Sequence, residues 1–225
     1  MPAFGKRKAF RRSLDHAALV GYVRAQLEAT FPDRTPVDAE DAVGAAAERV
    51  RHCFSALRHP AFGDGDSVVF DHLHGDQYTM FLYYASNSAY LAGDLTLAKK
   101  LFLLNKALNG FFCMYDTLLP PVMFLNHALG TVIGRGTYGN FLLVTQNVTF
   151  GIDGDAVPVV GEGVIVYGGA LIAGATTIGD RTVIAANASI RNAVVPAESV
   201  VAGSSPDLVI RPRKRHLSEA FFDMS

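Results

Sequence analysis

Residues 159–195 read VVGEGVIVYGGALIAGATTIGDRTVIAANASIRNAVV, and a period of six residues runs through them. One phase of this period is always a β-branched aliphatic residue, at Val160, Val166, Ile172, Ile178, Ile184 and Ile190. Four positions after each of these lies a small, β-branched or aliphatic residue: Val164, Ala170, Thr176, Thr182, Ala188 and Val194. Neither the helical period of about 3.6 residues nor the strand period of about two produces this pattern. Such short repeats are typical of a parallel β-helix, in which each hexad is one strand plus one turn and the aliphatic side chains stack inside.

A looser form of the repeat begins earlier in the chain, at Ile133–Gly134 and again over residues 144–149. Between this part and the regular repeats, Gly151–Pro158 is rich in Gly, Asp and Pro. These residue types favour turns and break the period. We therefore predict that Gly151–Pro158 is a loop extending from the coil.

The first half of the chain has helical spacing instead. A helix is predicted to begin near the acidic residues Asp38, Glu40 and Asp41, because negative charge suits a helix N-terminus. Two further helices are predicted over 78–91 and 95–108, with a turn between helices over 63–66. The apolar residues expected on the buried faces of the first two helices are Val43, Ala46, Ala47, Val50, Phe54 and Leu57, then Phe81, Leu82, Ala85 and Ala89.

The predicted fold class is therefore α+β. We expect an α-helical domain over residues 1–112, a parallel β-helix of hexapeptide repeats over residues 113–210, and a basic C-terminal tail over residues 211–225. The basic run in this tail is interpreted either as a solvated segment or as a contact for phosphate groups; it comprises Arg211, Arg213, Lys214 and Arg215.

Composition excludes several classes of protein. Hydrophobic residues make up 50 % of the 225 residues and charged residues 18 %, which predicts a chain with ample apolar surface to bury. The net charge of −1 argues against a nucleic-acid-binding protein. No apolar stretch is long enough to predict a membrane span. Because the two cysteines, Cys53 and Cys113, cannot form a disulfide framework and no signal-peptide pattern is present, we predict a cytoplasmic protein with packed thiols.

A family resemblance rests on three motifs. The segment FLNHALGTVIG over residues 124–134 is followed by QNVTFG over 146–151 and by AGSSP over 202–206. Together with the hexapeptide repeats and the preceding helices, these motifs resemble the left-handed β-helix acyltransferases, most of all the serine O-acetyltransferases. The resemblance implies an acetyl-CoA-dependent O-acetyltransferase with acetyl-CoA as co-substrate, no metal, and a homotrimer whose active sites lie between neighbouring chains. It also leaves open a dimer of trimers joined through the helical domain.

His127 is the candidate catalytic base. Transfer of an acetyl group to a hydroxyl needs a base for the hydroxyl proton, and an imidazole with a pKa of about 6.5 is mostly neutral near pH 7. The resemblance gives this role to the histidine that opens the coils, and His127 has the small neighbours Ala128 and Gly130. The other interpretation is a hydrogen-bonded histidine in a turn. Asp116 lies upstream and could orient the imidazole, or it could be a surface residue.

Two positions depart from the serine-utilising family. The aspartate expected before the catalytic histidine is Asn126, and the Arg-His-Pro of the family's loop is replaced by Ala156-Val157-Pro158. An acceptor that carries both an ammonium and a carboxylate would lose two charged partners. L-serine is the first named acceptor, a sugar or natural-product hydroxyl is the alternative, and a non-catalytic β-helix scaffold is the interpretation from a different class.

The densest polar cluster of the helical half is FDHLHGDQY over residues 70–78. Asp71 or Asp76 could cap the following helix, and a His-x-His zinc site is a weaker possibility. By resemblance, this stretch contributes to the acceptor site, with His74 and Asp76 joining Asn126 as acceptor-binding residues.

Small residues in the coils are the candidates for cofactor binding. An extended pantetheine arm can lie against the backbone only where side chains are small, although tight turns also demand small residues. The resemblance implies that this arm runs in a groove between subunits. The predicted cofactor-binding residues are Gly151, Gly168, Gly169, Ala185 and Ala186.

Overall fold

A computed structural model describes residues 8–64, 66–215 and 217–224 of the chain. Outside the described residues lie 1–7 and Gly65 of the predicted helical domain. Residues 216 and 225 of the predicted tail are also outside them. Four helices make up most of the N-terminal half: α1 (His16–Thr30), α2 (Glu40–Ser55), α3 (Gly75–Leu91) and α4 (Leu95–Asn109). The structure thus consists of N-terminal helices followed by a parallel β-helix, which confirms the predicted α+β fold class.

The three predicted helices correspond to α2, α3 and α4. All ten apolar residues expected on the buried faces of the first two are buried, although Leu57 lies two residues beyond the end of α2. Asp94 caps α4, since its side chain accepts a hydrogen bond from the backbone N–H of Leu97 at 2.9 Å. Gly110 ends α4 in a left-handed conformation, with φ of 60°.

A small parallel sheet was not predicted from the sequence. Strand β1 (Ala9–Arg12) pairs with β2 (Ser67–Phe70), and β2 follows the predicted turn directly. A single turn of 3-10 helix, Pro60–Phe62, precedes that turn. The segment between α2 and α3 therefore contains a strand as well as a turn. The strand has only four residues, too few for apolar periodicity to predict it.

The second half winds through three parallel ladders, which we call faces 1, 2 and 3. Face 1 contains β3 (Phe112–Cys113), β5 (Val132–Ile133), β8 (Thr149–Gly151), β11 (Leu171–Ala173) and β14 (Ser189–Arg191). Face 2 contains β4 (Met123–Leu125), β7 (Leu142–Val144), β10 (Ile165–Val166), β13 (Val183–Ile184) and β16 (Ser199–Ser204). Face 3 contains β6 (Thr137–Tyr138), β9 (Val159–Val160), β12 (Thr177–Ile178) and β15 (Val194–Val195). As the chain winds around the three faces, each turn adds one level of strands, which we call a rung. Neighbouring strands on one face lie about 4.8 Å apart, so this is the distance between successive rungs.

The period of six is the origin of the core. All six aliphatic residues of the main phase are at most 2 % exposed. The second phase is also buried, with one exception: Val194 is 74 % exposed. Only Asn192 and Ala193 separate β14 from β15, so the register moves by one residue and Val195 enters the core at 1 % exposure. Of the predicted loop Gly151–Pro158, residues 152–158 lie between β8 and β9, whereas Gly151 is the last residue of β8.

The end of the chain folds back on the molecule. Strand β17 (Asp207–Pro212) pairs antiparallel with β16, and helix α5 (Ser218–Phe221) follows. The Arg213 side chain is 2 % exposed and pairs with Glu198, so the basic run is not a solvated segment as a whole. Phe222 is fully buried and bridges to Leu57, which joins the end of the chain to the helical half. No helix among the described residues is long and apolar enough to span a membrane.

Candidate active site

One corner of the β-helix is longer than its equivalents. The corner from face 2 to face 1 has four residues on three successive rungs, at 145–148, 167–170 and 185–188. On the first rung it has six, at 126–131. We call this set of turns the His127 corner. The equivalent hydrogen bonds show where the extra residues fall. The N–H of Asn126 donates to Val144, and the N–H of Thr145 donates to Val166, so Asn126 is equivalent to Thr145 on the next rung. The carbonyl of Leu129 accepts from Asn147, and that of Gln146 accepts from Gly169, so Leu129 is equivalent to Gln146. The inserted residues are therefore His127 and Ala128.

Asp76 holds the inserted residue in place. The backbone N–H of His127 donates to Oδ1 of Asp76 at 2.9 Å, and Nδ1 of the imidazole lies 3.4 Å from Oδ2 of the same carboxylate. His127 has φ of 54°, a conformation that non-glycine residues rarely adopt. The imidazole is 77 % exposed, whereas the Asp76 side chain is 13 % exposed. A partly buried carboxylate on Nδ1 favours the proton there and leaves Nε2 on the open side as an acceptor.

Asp76 reaches this position because it lies in the first turn of α3 without capping that helix. The N-cap residue is His74, and its side chain makes no capping hydrogen bond. Asp71 accepts from the N–H of Leu73, before the helix begins. The predicted capping by Asp71 or Asp76 is therefore wrong. The carboxylate of Asp76 faces the β-helix instead.

A buried glutamine fixes the approach to α3. The side chain of Gln77 is fully buried, accepts from the N–H of Asp71 at 2.7 Å and donates to the carbonyl of Ala61 at 2.7 Å. These two bonds tie the loop before α3 to the 3-10 helix. The sequence reasoning missed Gln77, although its place next to Asp76 in a polar cluster was a signal for it.

His74 is connected to the segment of His127 through two aromatic contacts. Its ring packs edge-on against Phe62 with centroids 5.7 Å apart, and Phe62 packs against Phe124, which lies three residues before His127. Nδ1 of His74 is buried and has no hydrogen-bond partner within the described parts of the chain. In those same parts, no group of three or more His, Cys, Asp or Glu residues is arranged to hold a metal ion. The other imidazole of the His-x-His pair, His72, bonds to Ser13 at 2.7 Å.

Asn126 adjoins the base candidate directly. It is half-buried, and its backbone N–H is used by the rung above. Its side-chain amide makes no hydrogen bond to any residue within 8–64, 66–215 or 217–224. Both the oxygen and the nitrogen of this amide are therefore available to a ligand.

Asp116 lies elsewhere. It is exposed, in the turn that follows β3, and makes neither a hydrogen bond nor an ion pair to His127 in the described structure. Burial, and secondarily the charge of Asp116, raise the pKa of Cys113 well above its ordinary value. The role of Asp116 as a partner of His127 stays a prediction, and the carboxylate that contacts this histidine is Asp76.

Four of the five predicted cofactor-binding residues lie in the His127 corner. Gly168 and Gly169, then Ala185 and Ala186, occupy the turns two and three rungs beyond the turn of His127. We call these four residues the column of small residues. Their turns lie roughly 10 and 15 Å from the turn of His127, and Gln146 and Asn147 occupy the turn between. Gly151 lies at the far end of strand β8, beside Ala173, and belongs to a different corner.

Packing gives a second reason for small residues in this column. Gly169 has φ of 75°, and a Cβ there would lie 2.2 Å from Oδ1 of Asn187. A Cβ at Gly168 would lie 2.8 Å from Nε2 of Gln146. The positive φ of Gly169 favours glycine there, whereas a methyl group at Gly168 would displace the end of the flexible Gln146 side chain. Both glycines leave the backbone of the corner accessible.

Comparison with known proteins is informative at this point. No protein-family model matches the chain. The serine acetyltransferase of Helicobacter pylori is 32 % identical over 96 residues, which are 40 % of this chain and 56 % of that protein. The chain thus matches little more than half the length of this relative. The serine acetyltransferase of Neisseria gonorrhoeae superimposes with a TM-score of 0.67 at 22 % identity, over 92 % of this chain and 84 % of that one.

The chain is similar to the serine acetyltransferases and shares their fold. A solved serine acetyltransferase in complex with CoA also superimposes, with a TM-score of 0.56 at 20 % identity, over 84 % of this chain and 75 % of that one. The resemblance expected from the motifs is therefore confirmed, together with the left-handed β-helix that it implies.

Proposed function

We propose that this protein is an acetyl-CoA-dependent O-acetyltransferase in which His127 is the general base. The observation that supports this most is the His127–Asp76 pair, which presents an exposed imidazole on a two-residue insertion in the same corner as the column of small residues. The similarity to serine acetyltransferases supports the same reaction class. The protein would act in the cytoplasm.

In the proposed reaction, Nε2 of His127 accepts the proton of the acceptor hydroxyl while the hydroxyl oxygen attacks the thioester carbonyl. The tetrahedral intermediate then collapses, the carbon–sulfur bond breaks, and the imidazolium returns its proton to the departing thiolate. The products are the O-acetyl ester and CoA. Asp76 stabilises the imidazolium and fixes its orientation through Nδ1, as a carboxylate does in other acyl transfers.

Acetyl-CoA would lie along the His127 corner. Gly168, Gly169, Ala185 and Ala186 leave the backbone open in two adjacent turns, roughly 10 and 15 Å from the turn of His127, distances suited to an extended pantetheine arm. A solved serine acetyltransferase of this fold binds CoA, which supports the assignment. Gly151 remains a candidate for the same ligand only if a neighbouring chain brings its corner close.

A single chain leaves this site open, and we propose that a homotrimer closes it, with a dimer of trimers as the larger assembly. The His127 imidazole is 77 % exposed and Leu129, two residues later, is 67 % exposed. Outward residues of faces 1 and 3 are also exposed and apolar, at Val132, Val159 and Val194. Burial of these side chains between chains would remove apolar surface from water and enclose the column.

The test is acetyl-CoA turnover with His127→Ala as the key variant. We expect release of free CoA thiol with a hydroxyl acceptor, L-serine being the reference acceptor because the relatives are named for it. His127→Ala should reduce kcat by about 10²–10⁴-fold, while the Kd for CoA and the oligomeric state are retained. Absence of both turnover and CoA binding would favour the non-catalytic scaffold. Full activity of His127→Ala would remove the imidazole from the mechanism.

A further inference from the structure

We infer that the acceptor is an uncharged polyhydroxyl compound of the carbohydrate type and not a free amino acid. This inference rests on the proposed acetyltransferase function and narrows its acceptor. It follows from the charges around His127, which are unlike those that a zwitterion requires.

The carboxylate of Asp76 is already engaged. Its Oδ1 accepts the N–H of His127 and its Oδ2 faces Nδ1 of the same residue. An acceptor ammonium taken out of water needs an anion of its own. The residue next to the base on the chain is Asn126, whose amide is neutral. The ammonium of an amino acid would therefore compete with His127 for the only carboxylate in contact with this imidazole within the described residues.

The residues that build this site within one chain provide no fixed cation for a carboxylate. The two segments that build it, FDHLHGDQYT over 70–79 and FLNHALGT over 124–131, contain no lysine and no arginine. Their only groups that can become cationic are imidazoles, and that of His72 is bonded to Ser13. A carboxylate placed beside His127 would meet Asp76 without a guanidinium or ammonium to offset it.

The free polar groups suit hydroxyls instead. The Asn126 amide offers one acceptor and one donor group, and both are without partners in the described structure. A hydroxyl both donates and accepts, whereas an ammonium only donates and a carboxylate only accepts. Hydroxyls on one neutral molecule can therefore pair with both the oxygen and the nitrogen of this amide.

The experiment compares acceptors that differ only in charge. Glycerol has a hydroxyl at its central carbon, where 2-amino-1,3-propanediol has an ammonium. N-acetyl-L-serinamide is L-serine with its amine and carboxylate converted to uncharged amides. Methyl hexopyranosides and N-acetylhexosamines complete the neutral set. Thiol release from acetyl-CoA gives kcat/KM, and mass spectrometry identifies the O-acetyl product. We expect glycerol to exceed the amino diol, and the best neutral acceptor to exceed L-serine by at least tenfold.

Asn126→Asp tests the cause of that preference. A carboxylate at residue 126 should shift the ratio of kcat/KM for the amino diol over glycerol by at least tenfold toward the amine. Asn140→Asp is the matched control. Its Oδ1 can still accept the N–H of Val122, and the added charge lies in the corner between faces 3 and 2. We expect the control to leave the ratio unchanged.

The outcomes separate the inference from the proposed function. If L-serine equals or exceeds every neutral acceptor, the acceptor class is wrong while the acetyltransferase stands. An unchanged ratio in Asn126→Asp contradicts the role of residue 126 in choosing the acceptor. Failure of every acceptor, charged or neutral, overturns the acetyltransferase itself and the inference with it.

Discussion

The carboxylate of Asp76 accepts the backbone N–H of His127 across 51 residues of sequence, at 2.9 Å. This one contact joins the first turn of α3 to the first long corner of the β-helix. The helical half therefore does more than precede the coils, because it supplies the group that positions the imidazole.

Asp76→Asn should separate charge from shape. The amide oxygen can still accept the N–H of His127, but the amide nitrogen then faces Nδ1 and favours the tautomer whose proton is on Nε2. Because that tautomer cannot accept the hydroxyl proton, we expect kcat/KM to fall by about 10²–10⁴-fold.

Asp116→Asn is the matched comparison for this prediction. Asp116 has no bond to His127 in the described structure, so we expect its amide variant to retain kcat/KM within about threefold. Retained activity in Asp76→Asn together with a large loss in Asp116→Asn would show that Asp116, and not Asp76, is the partner of His127.

The column of small residues yields a stability prediction. Gly169→Ala introduces both a positive-φ penalty and a contact of 2.2 Å between Cβ and Oδ1 of Asn187. Gly93→Ala has the first penalty alone, since φ is 87° and nothing lies within 4 Å of its Cβ. We expect urea unfolding to give losses of about 1 kcal/mol for Gly93→Ala and about 3 kcal/mol for Gly169→Ala. Equal losses would mean that Asn187 rotates away at no cost.

Residues 190–195 show what periodicity can and cannot predict. A repeat of six residues identifies a β-helix because each face takes about six residues, one strand plus one turn. The same phase of the repeat therefore points inward on every face. The repeat does not reveal a shortened corner: the five earlier residues of the second phase are buried, whereas Val194 is exposed. Urea unfolding should show a loss of about 2 kcal/mol for Val195→Ala and below about 0.5 kcal/mol for Val194→Ala. A larger loss for Val194→Ala than for Val195→Ala would show that Val194, and not Val195, lies in the core.

The site was predictable where a motif was local and not where it depended on tertiary contact. His127, Asn126 and the small residues of the column come from contiguous segments of the β-helix, and the structure brings them to one corner. The partner of Nδ1 could not be identified in this way. Asp76 lies in the other half of the chain, and only the docking of α3 against β4 brings it near the imidazole.

The cysteines and tyrosines predict sensitivity to high pH. Burial raises the pKa of Cys53 to about 11, and burial also raises the pKa of Tyr83 and Tyr84 above the ordinary tyrosine value. The native state therefore retains protons that the unfolded chain releases, so the free energy of unfolding falls as pH rises above about 9. Urea unfolding at pH 8 and pH 10 measures this. Cys53 should also resist iodoacetamide at pH 8 until the protein is unfolded, and rapid labelling of the native protein would contradict its burial.

The C-terminal segment is expected to be part of the folded core. Phe222 is fully buried against Phe141 with ring centroids 5.7 Å apart, and the neighbouring backbone bonds to Arg58 and Ala56. Phe222→Ala should reduce the free energy of unfolding by about 3–5 kcal/mol, because a large side chain leaves a cavity at a site that contacts both halves. Phe221→Ala, at the partly exposed neighbouring position, should cost clearly less. Urea unfolding with far-UV circular dichroism measures both variants. Similar small losses in both variants would show that the last residues are not part of the folded core.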